Sequence, residues 1–223
     1  MIPKPYQTEA LYWLEAFFKR CKLSNNPRLA YEETTMEWRG MALPYRPLPT
    51  LSQIPYVCLR IPTGGGKTLI GGLAIERANR SLLFTRYSVT LWLVPSEPIR
   101  EQTLKALRTP ANLLHQAVFS ALGEVPVMEI EEALRVKPHV LNATNAVIVA
   151  TMQAFKQVDL ARLNVYKQNS DMQPHFEGIT DPKVVGNQSF VDALRLRHPF
   201  VIVDEAHNQG TPLAFETLAR FEP

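Results

Sequence analysis

Cysteine is nearly absent from this 223-residue chain: Cys21 and Cys58 stand alone, with no Cys-x-x-Cys pair. Neither a disulfide framework nor a thiolate zinc site is indicated. No run of about eighteen apolar residues occurs, which argues against a transmembrane helix. Glu9 and Glu15 interrupt the apolar pattern near the N-terminus, so that segment is not a secretory signal. Cytoplasmic residence without a membrane partner is the resulting expectation. Charge of one sign is not in great excess either. The 24 Lys and Arg against 21 Asp and Glu leave a net +3, a mild bias compatible with a phosphate-backbone partner and proof of none. Internal repeats and low-complexity tracts are missing, as is the basic and aromatic alternation of a base-stacking platform.

What is present is enough apolar material for one core. At 46% apolar over 223 residues, a single domain with insertions fits better than two. Apolar runs of strand length at 55–59, 89–94, 117–119, 146–149 and 199–203 alternate with helical patterns. Ala10, Leu11, Leu14, Phe17 and Phe18 have helical spacing, and residues 69–76 and 99–107 read as further helices. That alternation predicts an α/β fold with a mostly parallel central sheet flanked by helices. Cys58 falls inside the first expected strand and is read as a small buried hydrophobe. Two stretches break the rhythm and read as long loops, 25–55 with its five prolines and the polar 164–187.

Directly after the first expected strand stands Ile61-Pro62-Thr63-Gly64-Gly65-Gly66-Lys67-Thr68, and a helical pattern follows. Consecutive glycines let a backbone reach positive φ and turn its N–H groups toward phosphate oxygens, while the next helix N-terminus favours negative charge. Thr63, Gly64, Gly65 and Gly66 are therefore the candidate phosphate cradle. Lys67 is the point charge for the β- and γ-phosphates, and Thr68 the hydroxyl ligand of Mg2+. The strict eight-residue pattern begins with glycine, where Ile61 stands here.

Asp204-Glu205-Ala206-His207 follows the last expected strand, at the end where ligands bind in open α/β sheets. An acidic pair after a strand is often a polar turn; paired with Gly66-Lys67-Thr68 it reads as the other half of a triphosphatase site. Asp204 would hold Mg2+ through water, and Glu205 would orient or deprotonate the water that attacks the γ-phosphate.

Together these motifs resemble the first RecA-like lobe of a superfamily 2 DEAD/DEAH-box helicase, and most closely the restriction (Res) subunit of type III restriction-modification enzymes. The resemblance covers most of the chain. Lys4-Pro5-Tyr6-Gln7 is similar to the motif whose glutamine reads adenine, which implies that role for Gln7. Leu93-Val94-Pro95-Ser96 and residues 149–155 resemble nucleic-acid-contacting motifs, which implies that Ser96, Thr151 and Gln153 contact the track. Ser96 and Thr151 read equally as helix caps. In the family the position of His207 couples the nucleotide site to the second lobe.

The resemblance implies a P-loop NTPase lobe using ATP and Mg2+, double-stranded DNA as its track, a second helicase lobe in a longer chain, and a possible methyltransferase partner. The alternative is a P-loop ATPase acting on a small molecule or protein. A non-catalytic nucleotide-binding module is a third reading, against which intact Lys67 and Glu205 argue. Arg77, Arg80 and Arg86, and Arg100, Lys105 and Arg108, form basic groups for which a solvated face is the commoner explanation.

Overall fold

The computed structural model describes residues 3–49, 51–156, 163–206 and 212–223. Helices α1 (Pro5–Ser24) and α2 (Pro27–Arg39) come first, and α3 (Lys67–Ala78) follows the glycine loop. Strand β1 (Val89–Val94) leads through α4 (Glu97–Arg108) and α5 (Leu113–Leu122) to β2 (Val127–Met128). Short helices α6 (Ile130–Ala133) and α7 (Pro138–Ala143) precede β3 (Ala146–Thr151). After α8 (Pro182–Val185) and α9 (Phe190–Arg195), β4 (Phe200–Val203) and α10 (Pro212–Ala219) complete the order.

Among the described residues, four strands form one parallel sheet in the order β2-β3-β1-β4. Successive side chains of a strand point to opposite faces, and both faces are covered here, which explains why β1 and β3 are buried along their whole length. Leu91, Leu93, Ile148 and Ala150 pack with Phe155, Phe190 and Leu194 on one face. Trp92, Val94, Val147 and Val149 pack with Ile75, Leu107, Leu114 and Val118 from α3, α4 and α5 on the other. Two glycines bring α3 close to its neighbours. A Cβ at Gly71 would lie 3.2 Å from the Trp92 ring, and one at Gly72 would lie 2.7 Å from Leu114 and 2.8 Å from Val118. Helices α1 and α2 form a side layer in which Leu14, Phe17, Phe18 and Ala30 pack with Ala74 and Ala78 of α3.

The sheet confirms the strands expected at 89–94, 146–149 and 199–203, and the α/β class. Four expectations are corrected. Residues 117–119 lie in α5, where Leu114, Ala117 and Val118 face inward at helical spacing and Asn112 caps the start by accepting from Leu114 N at 2.9 Å. A three-residue apolar run cannot distinguish strand from helix. The segment 55–59 joins no ladder; Tyr56 N donates to the Tyr45 hydroxyl at 2.9 Å instead of to a strand. Cys58 is accordingly exposed and not a core residue.

The stretch 25–55 is not all loop, because it holds α2. Pro27 sits at the first turn, where its missing N–H costs nothing, and Asn26 caps the helix by accepting from Leu29 N at 3.1 Å. The stretch 164–187 has only short helical turns, pinned by buried Val165, Met172, His175 and Phe176.

Candidate active site

Parallel pairing aligns the carboxyl ends of the strands. Val94 of β1 is opposite Thr151 of β3, and Leu93 is opposite Val203 of β4, so Ser96, Gln153 and Asp204 emerge along one edge. Asp204 N continues the ladder by donating to Leu93 O at 2.8 Å, which fixes the carboxylate immediately past the sheet.

The glycine loop is a tight backbone structure. Gly64 and Gly66 have φ of +74° and +76°, the left-handed region that only glycine enters without strain. Gly65 N donates to Pro62 O at 2.9 Å to close the turn, and Gly66 O accepts from Ile70 N at 3.0 Å to start α3 at Lys67. A cradle this close tolerates little. A Cβ at Gly65 would meet Ile61 Cγ2 at 2.6 Å and Pro62 O at 2.8 Å. Ile61, where the strict pattern has glycine, therefore packs against the loop it departs from. Thr63 and Gly64 are exposed, whereas Lys67 and Thr68 are half-buried at the head of α3. Among the described residues, no ion pair engages Lys67.

Asp204 is half-buried, and burial raises its carboxyl above the usual aspartate range. The Glu205 backbone N–H, which donates to Asp204 Oδ1 at 2.9 Å, opposes that shift, the Glu205 charge adds to it, and the positive Lys67 also opposes it. Lys67 and Asp204 thus lie within electrostatic reach across the edge of the sheet. Glu205 is exposed and takes φ of +51°, an uncommon backbone for a non-glycine residue and one that concentrates at functional sites. His207 lies outside the described residues.

Gln7 is brought into the site by α1. Its side chain is only 5% exposed, its Oε1 accepts from Lys4 N at 2.9 Å, and its Nε2 donates to Gly65 O at 2.9 Å. Tyr6 donates its hydroxyl to the same carbonyl at 2.9 Å. Sequence reasoning had no signal for that second brace, since a tyrosine beside a glutamine has no spacing that would link it to Gly65.

The candidate nucleic-acid residues differ in access. Gln153 is exposed and Ser96 half-buried, but Thr151 is only 6% exposed at the end of β3. Neither Ser96 nor Thr151 makes a side-chain capping bond. The basic groups are largely paired within the chain. Arg80 bridges Glu15 and Glu76, Arg100 bridges Glu97 and Glu129, and Arg108 holds Glu132 and the Val127 carbonyl.

Mg2+ fits the donor set by its chemistry. The Thr68 hydroxyl and the Asp204 carboxylate are hard oxygen ligands of the kind that complete a phosphate- and water-rich Mg2+ shell, and a desolvated carboxylate gains from a cation. Among the described residues no group of three His, Cys, Asp or Glu side chains is placed to hold a metal alone.

A glycine loop leading into a helix, set across from an acidic pair at the carboxyl edge of a parallel sheet, defines a P-loop nucleotide-binding lobe of RecA-like fold. The family model described as type III restriction enzyme, res subunit, matches residues 1–222, and the chain belongs to that family. It is thereby a helicase-like ATP-binding domain. No curated protein and no solved structure matches it. Among the described residues, no helix is long and apolar enough to cross a membrane.

Proposed function

We propose that this lobe binds Mg-ATP and, with a second helicase lobe in a longer chain, couples hydrolysis to movement along double-stranded DNA as part of a restriction-type defence enzyme. The observation that carries the reading is the order of the parts: the positive-φ glycine loop closes directly into α3 at Lys67, and Asp204 stands just past β4 at the carboxyl edge of the parallel sheet. In this reading residues 63–66 wrap the phosphates with backbone N–H groups, and Lys67 neutralises the β- and γ-oxygens. Thr68 and Asp204 would hold Mg2+, which when bound offsets charge developing on the phosphates. Glu205, exposed beside Asp204, accepts the proton of the attacking water. His207 relays the nucleotide state to the second lobe. Ser96 and Gln153 are the proposed contacts to the DNA backbone, which a translocating motor must grip without reading sequence. A methyltransferase partner would supply target recognition.

A second reading has a specific observation in its favour. Arg80, Arg100 and Arg108 are committed to internal carboxylates, which leaves less positive charge for DNA and suits an ATPase directed at a protein or small molecule. ATPase activity of a chain carrying both lobes, measured with and without double- and single-stranded DNA and RNA, separates the two. Stimulation by double-stranded DNA is expected, and it should weaken with salt because the contacts are to phosphate. Turnover indifferent to every polymer would establish the second reading.

A further inference from the structure

On the sheet face covered by α9 and α10 lies a cavity of about 780 Å3 whose walls come from three separate stretches of chain. Lys167 follows the turn Asn164–Tyr166, Asn187 precedes α9, Arg195 ends that helix, and Arg220 stands just past α10. Packing holds these walls in place. The Tyr166 hydroxyl donates to Phe155 O at 2.9 Å, Asn169 Nδ2 donates to Leu134 O at 2.7 Å, and buried Phe221 meets Phe155 edge-on with ring centres 5.0 Å apart. None of the glycine loop, Asp204 or Glu205 lines the cavity, so it is separate from the site described above.

The charges that face it divide into a spent set and a free set. Arg195 pairs with Asp192 Oδ1 at 3.3 Å and donates to Lys183 O at 2.9 Å, while Asp192 Oδ2 accepts from Ser189 Oγ at 2.7 Å and from Asn187 N at 3.0 Å. Among the described residues, neither Lys167 nor Arg220 pairs with a carboxylate. Arg220 lies 5.6 Å from the Tyr166 ring centre, and its Nη1 is buried without a hydrogen-bond partner. A buried guanidinium nitrogen that lacks an acceptor is unfavourable, and an anion beside it relieves the penalty. Burial pushes the Tyr166 phenol up and the Arg220 charge opposes the shift; a neutral phenol does not cancel that charge. Glu222 is exposed at the rim, where water screens its carboxylate. The exposed side-chain amides of Gln168 and Asn187 make no hydrogen bond among the described residues.

We infer that this cavity binds a small phosphomonoester with a hydroxylated remainder, its phosphate held by Lys167 and Arg220. Two uncompensated cations match a group that carries a charge of about −1.5 to −2 at neutral pH, whereas a carboxylate would answer only one of them. The guanidinium fork also suits phosphate oxygens in geometry. The volume is within the roughly 300–1,000 Å3 of small-molecule sites and exceeds what a phosphate alone would fill. Gln168 and Asn187 offer amide donors and acceptors to the hydroxyls of that remainder. The inference is independent of what the glycine loop binds.

The test is calorimetric titration of the full 223-residue chain carrying Lys67→Ala, which removes the glycine loop's own cation, with ribose 5-phosphate, inorganic phosphate and ribose. Ribose 5-phosphate should bind more tightly than inorganic phosphate, and ribose not at all. Arg220→Ala should weaken ribose 5-phosphate roughly tenfold or more, the scale of one charged hydrogen bond, and Arg220→Lys should recover part of the loss. Lys167 and Glu222 are exposed, so their variants should fold even where Arg220→Ala does not. Lys167→Ala should weaken binding about threefold and Glu222→Gln should tighten it by about as much, as expected of screened surface charges. A short DNA duplex should not compete. No binding at about 10 mM ribose 5-phosphate would overturn the inference, as would affinity indifferent to both Lys167→Ala and Glu222→Gln. Inorganic phosphate binding equally well would overturn the assignment of an organic ligand, and displacement by the duplex would give the cations to a polymer backbone instead. Binding seen in wild type and lost with Lys67→Ala would also overturn it, by placing the phosphate on the glycine loop.

Discussion

Gln7 Nε2 donates to Gly65 O at 2.9 Å, and a Cβ on the next residue, Gly66, would meet that same nitrogen at 2.6 Å. The first helix thus closes on the glycine loop so tightly that the loop must be glycine at this point for two reasons, one conformational and one steric.

Those reasons separate by substitution. Gly64→Ala incurs only the positive φ of +74°, with nothing within 4 Å of the new Cβ, and should cost about 1–3 kcal/mol. Gly66→Ala incurs a similar φ and also displaces Gln7, so it should be the more destabilising in a urea melt. In a Gln7→Ala background the excess should disappear. An excess that persists there would mean that Gly66 is constrained by its backbone alone.

Asp204 gives a pH prediction of definite sign. Burial raises its folded-state pKa above the unfolded value, so the ionised group destabilises the fold at neutral pH. The penalty fades as pH falls through the raised folded pKa and is gone below the unfolded one. Asp204→Asn should therefore raise Tm at pH 7, by a margin that shrinks on acidification. Mg-ATP should reverse the ranking by stabilising wild type more than the variant. A variant less stable than wild type at pH 7 without nucleotide would show that the carboxylate's hydrogen bond from Glu205 N outweighs its desolvation.

The elements that form the site were legible in the sequence where pattern and position agreed. Val89–Val94 and the run ending at Val203 are long, apolar and followed by polar turns, and both are strands. The tight glycine turn into a helix was legible because three glycines stand before a helical pattern, and Gly64 and Gly66 take positive φ ahead of α3. Residues 55–59 had the composition of a strand, but composition does not choose a partner, and Tyr45 takes the Tyr56 N–H. The stacking of Trp13 on Trp38 was illegible for another reason: they lie on separate helices, and only the packing of α1 on α2 brings them together. Helix α2 was itself obscured by counting Pro27 as a loop residue when it starts the helix.

The two cysteines should behave as opposites. Burial pushes the Cys21 thiol up to about 12, which keeps it protonated and unreactive at neutral pH. Cys58 is exposed and lines a cavity that also borders Thr63, Gly64 and Gly65. A disulfide reagent at pH 8 should titrate one thiol quickly and the second only in denaturant, and saturating Mg-ATP should slow the fast phase. Two fast thiols would mean that α1 opens readily and would place Cys21 outside a stable core.

Lys67 and Glu205 are assigned different stages of one reaction, and their variants should fail differently. Lys67→Ala removes a charged contact to phosphate, worth about 1.5–3 kcal/mol, and should weaken Mg-ATP roughly 10- to 100-fold. Glu205 is exposed and its backbone N–H, not its carboxylate, is what braces Asp204, so Glu205→Gln leaves the metal side chain supported. Its affinity for Mg-ATP should stay near wild type, while turnover in a two-lobed chain falls by roughly 10²–10⁴-fold, the usual contribution of a general base. Measuring Kd and kcat on the same preparations distinguishes the roles. Equal loss of binding in both variants would mean that Glu205 helps to hold the metal ion, and the base that activates water would then have to be sought elsewhere along the carboxyl edge.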